Sequence, residues 1–198
     1  LPLLGFCLSK KIVMTWHESF SLSHIFKFFL LSVVPSQIIV VRPNYKNLLP
    51  FYKFLAAHKT FNFIPNASTL PSVNLSISQK KLLKKKYILG KSRLIVYFGF
   101  IYPHKGVENI LKIANPETDQ VVIAADMEPQ NKYHKYLKSI ITKKWNNRVS
   151  LIKYMPEKDL AALLSVADAI ILPFRGGGGI WNTSIHAAVS SRSFLLTT

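Results

Sequence analysis

Arg93 to Gly99, RLIVYFG, followed by Phe100-Ile101-Tyr102-Pro103-His104-Lys105-Gly106 and then by Val107 to Ala114, is the stretch that decides the fold. A short apolar run rich in branched and aromatic residues that stops at glycine reads as a buried strand. Val107, Ile110, Leu111 and Ala114 then recur at helical spacing, so strand, loop and helix follow in one short segment. The same step repeats downstream. Gln120 to Ala125 reads as a strand, Lys132 to Lys144 as a basic amphipathic helix and Val149 to Ile152 as a strand. Leu160 to Val166 reads as a helix, Ala169 to Pro173 as a strand, Thr183 to Ser190 as a helix and Phe194 to Thr197 as a strand. Strands alternating with helices, each connection long enough for a crossover, predict a parallel sheet with helices on both faces. Residues 92–198 are therefore expected to form an open, doubly wound α/β domain.

Upstream the pattern is shorter. Lys11 to Thr15, Ile38 to Val41 and Phe61 to Ile64 read as buried strands, with a helix over Leu22 to Val33. Residues 1–66 are thus expected to form half of a second α/β domain. Residues 67–91 carry turn-like Asn, Ser and Pro and the basic run Lys80 to Lys86, and read as a basic linker.

The chain has 198 residues, 26 Lys+Arg against 9 Asp+Glu, and 49% apolar side chains, which excludes disordered and collagen-like classes. The single Cys7 excludes a disulfide framework and a Cys-built zinc site, and makes a reducing, cytoplasmic compartment the expectation. No run is long and apolar enough for a transmembrane helix, and the first residue is not Met, so a fragment is expected. Residues 1–93 hold fourteen Lys/Arg and one acid, Glu18. A field of that sign attracts phosphates, whether of a nucleotide, a nucleic acid or an anionic membrane surface, and charge alone does not choose among them.

In open α/β sheets ligands sit at the carboxyl ends of the strands, so the loops there carry the candidate chemistry. Lys105 stands where its loop opens into a helix, a favourable place for a diphosphate; a solvated lysine on an ordinary loop is the competing reading. Phe174-Arg175-Gly176-Gly177-Gly178-Gly179-Ile180-Trp181-Asn182-Thr183-Ser184 opens the next such helix. Its glycines allow close approach to a ligand, and Asn182, Thr183 or Ser184 suit a helix cap or a phosphate. It is neither a Walker loop nor a dinucleotide fingerprint, and a plain flexible turn is the alternative. In the first domain Trp16-His17-Glu18 ends a strand, and His17 suits a hydroxyl contact or proton transfer as well as a structural role. His58, His104 and His134 receive no role.

In order, IVMTWHE, IIVVRPNYKNLL, FIPNAS, LIVYFGFIYPHKGVENILKIA, VSLIKYMPEKDLAALLSVADAIILPF and GGGGIWNTSIHAAVSSRSFLLTT resemble the family-4 glycosyltransferases of GT-B fold. The resemblance covers nearly the whole chain. It implies two Rossmann-like domains, the first incomplete and the second lacking its C-terminal end. It also implies transfer of a sugar from a nucleotide-diphosphate donor to an acceptor hydroxyl, with retention and without a bound metal or cofactor.

By the same resemblance, Lys105 falls on the lysine that neutralises the donor diphosphate, stabilising the leaving group. His17 falls on the histidine that faces the transferred sugar. Gly178, Gly179, Thr183 and Ser184 fall on the loop that holds phosphates and sugar, and Lys153 with Tyr154 near the nucleobase. Phe100 stands where many members have a second basic residue, so that either Arg175 supplies the second charge or no residue does, and Gly178 and His186 stand where a pair of glutamates is familiar. The implied partners are a nucleotide-sugar donor, a saccharide or lipid-linked acceptor of cell-surface polysaccharide or glycolipid synthesis, and an anionic membrane surface touched from the cytoplasm. With an incomplete first domain, little turnover is expected of this chain alone. A relative that binds nucleotide or saccharide without turnover is the alternative, and a nucleic-acid-binding module the least favoured, since the basic residues form no reader motif.

Overall fold

The computed structural model describes residues 11–17, 34–48, 52–90 and 92–198. It divides between Asn66 and Ala67 into two compact units.

In the first unit, β1 (Val13–Trp16), β2 (Gln37–Val40) and β3 (Thr60–Phe63) pair in parallel in the order β1-β2-β3. Each strand is displaced by a residue or two from the sequence expectation. The short helices α1 (Tyr45–Leu48) and α2 (Tyr52–Ala56), which the sequence reading did not contain, cross from β2 to β3. They bring Leu55, Tyr45 and Tyr52 onto Ile38, Val40 and Phe61. The rings of Tyr45, Tyr52 and Phe61 lie 5.2–6.2 Å apart, within the range of favourable aromatic pairs. The helix expected over Leu22 to Val33 lies outside the described residues, as does Cys7.

Residues 67–91 were expected to be a linker, but Ile77–Lys85 forms α3, with the Ser76 hydroxyl accepting from the Gln79 N–H and the Gln79 side chain accepting from the Ser76 N–H. Leu70, Leu75, Leu83, Tyr87 and Ile88 pack on the core of the second unit. The segment therefore belongs to the second domain, because alternate apolar residues beneath the lysines have a surface to cover.

The remaining strands are β4 (Arg93–Phe98), β5 (Asp119–Ala124), β6 (Val149–Ile152), β7 (Ala169–Leu172) and β8 (Phe194–Thr197). They form one parallel sheet in the order β6-β5-β4-β7-β8. Between them run α4 (Ile110–Ile113), α5 (Lys132–Lys144), α6 (Glu157–Val166) and α7 (Thr183–Ser190). The central strands are covered on both faces, which is why β4 reads as an unbroken apolar run: Leu94, Val96, Val121, Val122 and Ile170 are fully buried. Each such side chain contributes about 1.5–3 kcal/mol of burial.

Acidic residues secure the amino-terminal edge of this sheet. Asp119 receives Arg93 Nε at 2.7 Å and the Asn115 N–H at 2.8 Å, and Asp168 receives the Leu94 N–H at 2.6 Å and Lys84 at 2.5 Å. The chain steps from β4 outward to β5 and β6, then returns to place β7 on the other side of β4. That reversal opens a crevice at the carboxyl ends of β4 and β7.

Candidate functional site

Two loops border the crevice. The first follows β4 and was expected to open directly into a helix at Lys105. Instead Pro103–Lys105 forms a single 3-10 turn, Gly106 reverses the chain at φ 64°, and a second such turn, Val107–Asn109, leads into the four-residue α4. Lys105 thus owes little to a helix dipole, and its own charge is what it offers. Its Nζ lies 4.6 Å from the centre of the Phe174 ring, and among the described residues it forms no ion pair with a carboxylate. Burial pushes its pKa down from the ordinary lysine value. A half-buried ammonium without an anion is an unfilled electrostatic demand.

The second loop follows β7 and is tied to the first by the Arg175 N–H, which donates to the His104 C=O at 2.9 Å. Gly106 sits where a Cβ would run into the Pro173 carbonyl oxygen, so the two loops pass too closely for any other residue. Arg175 donates to Glu108 Oε1 at 2.5 Å, and the Tyr133 hydroxyl donates to Glu108 Oε2. Glu108 is 3% exposed. Burial, the largest influence, raises its pKa, but the bonds from Tyr133 and Arg175 outweigh it and hold the carboxyl below the ordinary 4.5. The charge of Arg175 is thus largely answered by Glu108.

Glu108 escaped the sequence reading because an acid after a glycine turn looks solvated. A lowered carboxyl pKa gives stability that is present above 4.5 and lost as pH falls through the folded-state value. Glu108→Gln is therefore expected to lower Tm by several degrees at pH 7, with the difference from wild type shrinking below pH 4; thermal melts from pH 3 to 7 check it.

The glycine run is less open than expected. The Gly178 N–H donates to the Thr198 C=O, and the Gly179 N–H to Asn182 Oδ1 at 3.0 Å. A Cβ on Gly178 would meet Ile185 Cδ1 at 2.7 Å, and one on Gly179 would run into the Trp181 ring. These two glycines serve packing, and their amides are engaged inside the protein. Asn182 occupies the cap position of α7, but its side chain holds Gly179 instead of the helix start, so Thr183 and Ser184 begin α7 without a side-chain cap. His186 Nε2 donates to the Ile180 C=O at 2.6 Å and braces the same loop.

Beside the crevice, at the carboxyl ends of β4, β5 and β6, lies a cavity of about 460 Å³. Phe100, Ile101, Tyr102, Asp126, Lys153 and Tyr154 are among its walls. Tyr154 is 80% exposed, and its N–H donates to Asp126 Oδ1 at 3.2 Å. His134, which the sequence reading left without a role, also lines it and is 6% exposed. Its spacing from Leu137 and Ile141 places it on the inward stripe of α5, a signal present in the sequence. The structure thus brings Lys105, Arg175, Gly178, Gly179, Asn182, Thr183, Ser184, Lys153 and Tyr154 to one end of one sheet. His17 is exposed at the end of β1 in the other unit. Among the described residues no group of three His, Cys, Asp or Glu is placed to hold a metal, and no helix is long and apolar enough to cross a membrane.

No family model matches the chain, and no curated protein matches it. Solved structures do. HepE from Anabaena, solved with UDP and glucose, has 16% identity and a TM-score of 0.79 over 99% of this chain and 55% of its own. Sucrose-phosphate synthase from Thermosynechococcus elongatus has 13% identity and a TM-score of 0.71 over 99% of this chain and 53% of its own. A glycosyltransferase from Rickettsia africae has 17% identity and a TM-score of 0.66 over 95% of this chain and 51% of its own. The chain therefore spans about half the length of the structures it matches. Its parallel, Rossmann-like sheets are those of the GT-B glycosyltransferase fold.

Proposed function

We propose that this chain belongs to a glycosyltransferase that moves a sugar from a nucleotide-diphosphate donor to an acceptor hydroxyl with retention, and that its second unit binds the donor. The observation that carries this reading is Lys105, half-buried at the switch point of the sheet with no carboxylate to neutralise it among the described residues. A diphosphate supplies the missing anion, and the same ammonium stabilises the charge that develops on the leaving group. The base rests in the cavity beside Lys153 and Tyr154, and the uncapped start of α7, with Asn182, Thr183 and Ser184, meets phosphate or sugar. Arg175, anchored on Glu108, orders the loop and adds a smaller share of charge. A donor phosphate oxygen takes the acceptor proton in this reading, so no protein base, metal or cofactor is required.

The acceptor in this reading is a saccharide or lipid-linked hydroxyl of a cell-surface polysaccharide or glycolipid, met at the cytoplasmic face of an anionic membrane. The UDP and UDP-glucose bound by HepE support a nucleotide-sugar donor here. Engagement of Arg175 by Glu108 favours, as the second reading, a chain that binds donor with little turnover. Thermal melts with UDP, GDP and ADP test the proposal, because a ligand that binds only the folded state raises Tm. At one hundred times its Kd, the right nucleotide is expected to add about 2.7 kcal/mol, a rise of roughly 10 °C. No rise with any of the three contradicts the reading. Where binding is found, release of free nucleotide from its sugar conjugate separates turnover from binding alone.

A further inference from the structure

Two successive carbonyls in the loop after β4 are drawn inward. The Tyr97 hydroxyl donates to the Phe100 C=O at 2.7 Å, and His134 Nε2 donates to the Ile101 C=O at 2.9 Å. Both anchors are interior, with Tyr97 1% and His134 6% exposed. The direction of the histidine bond follows from its other nitrogen: Nδ1 accepts the Glu128 N–H at 2.8 Å, so the neutral ring carries its proton on Nε2.

A trans peptide is planar, and its N–H points opposite to its C=O. Drawing the Phe100 carbonyl toward Tyr97 therefore turns the Ile101 N–H away from that anchor, and drawing the Ile101 carbonyl toward His134 does the same for the Tyr102 N–H. Neither N–H has an acceptor among the described residues, and both residues line the 460 Å³ cavity. Holding both carbonyls fixes the direction of both neighbouring N–H groups. Two adjacent backbone donors left without a protein acceptor favour an acceptor oxygen from a ligand.

We propose that the N–H groups of Ile101 and Tyr102 are a donor pair for an oxygen of the bound nucleoside diphosphate, and that Tyr97 and His134 are the positioning residues that set it. This inference rests on the nucleotide reading above.

Amide-resolved NMR of the whole chain titrated with UDP, GDP and ADP tests it. With the nucleotide that binds, the Ile101 and Tyr102 amide signals are expected to shift downfield and their hydrogen exchange to slow. Three variants test the positioning role. In His134→Gln the side-chain amide reaches the position of Nε2 and keeps a donor to Ile101; in His134→Asn it reaches only that of Nδ1. Tyr97→Phe deletes the hydroxyl alone. Kd is expected to stay within about 3-fold of wild type for His134→Gln and to weaken about 10-fold for His134→Asn and Tyr97→Phe. A purely structural histidine would lower Tm in both of its variants and leave their affinities equal. Nucleotide binding that depends on Lys105 but leaves the Ile101 and Tyr102 amides unchanged overturns the donor pair and spares the nucleotide reading. Equal affinities for His134→Gln and His134→Asn overturn the positioning role. Absence of binding by all three nucleotides overturns both readings together.

Discussion

Replacing Lys105 with Met is expected to weaken nucleoside diphosphate binding about 100-fold while leaving the Tm of the unliganded protein unchanged or higher. The two effects have one cause. Burial lowers the Lys105 pKa, so the folded state disfavours the charged form. A lysine pKa depressed by folding is a destabilising contribution that is fully present below the folded-state value and disappears as pH rises through the ordinary 10.5. Methionine removes that contribution and keeps an adaptable side chain against Phe174, where a sulfur contact takes the place of the ammonium. A diphosphate loses the half-buried cation of the crevice that has no carboxylate partner among the described residues, and removing one partner of such a charge pair costs about 3 kcal/mol. Titration calorimetry with UDP, GDP and ADP on both proteins measures the affinity, and melts between pH 7 and pH 10.5 measure the stability, with the curves expected to converge at the alkaline end. A variant that melts lower and binds as well as wild type would show that Lys105 is a structural side chain.

The second large effect is expected at Gly106. Its φ of 64° costs a residue with a Cβ about 1–2 kcal/mol, and the Cβ would in addition run into the Pro173 carbonyl oxygen. Gly90 offers the control, since its φ is 65° and a Cβ there meets nothing within 4 Å. Gly90→Ala is expected to cost about 1 kcal/mol, the conformational share alone. Gly106→Ala is expected to cost about 3 kcal/mol, roughly 10 °C in Tm, because the loops after β4 and β7 must separate. Nucleotide affinity falls with it, since Lys105 stands on one loop and Arg175 on the other. Paired melts and titrations of the two variants check this; equal losses at both glycines would mean that the close approach of the loops is unimportant.

The parts of this architecture that were legible in the sequence are those governed by local pattern. The limits of α5, β6, α7 and β8 follow from helical or buried-strand spacing bounded by polar turns, and the structure reproduces them residue for residue. Starts are less visible where the first turn is polar: α6 begins at Glu157, three residues before its first apolar residue, Leu160. The helix hidden in the expected linker had a signal, the Ser76 and Gln79 capping box ahead of Leu82 and Leu83, but the lysine run around it resembled a solvated tether. At the candidate site the sequence located the two loops, because strand order and glycine content place them at the carboxyl ends. It did not show which groups are already occupied. The pairing of Arg175 with Glu108 joins residues far apart in the chain, and the engagement of the Gly178 and Gly179 amides depends on Thr198 and Asn182. The first two contacts follow from the order of strands in the sheet, which no local spacing encodes, whereas Asn182 lies only three residues from Gly179. The inward position of His134 was legible in its spacing from Leu137, whereas its two backbone partners were not.

The most direct measurement is a crystal structure of the chain with the nucleoside diphosphate that raises its Tm. The expected result is a phosphate oxygen within about 3 Å of Lys105 Nζ, the hydrogen-bond distance of an ammonium to an anion, with the base in the cavity beside Tyr154. A nucleotide bound elsewhere, with Lys105 still resting on Phe174 and no anion beside it, would contradict the account.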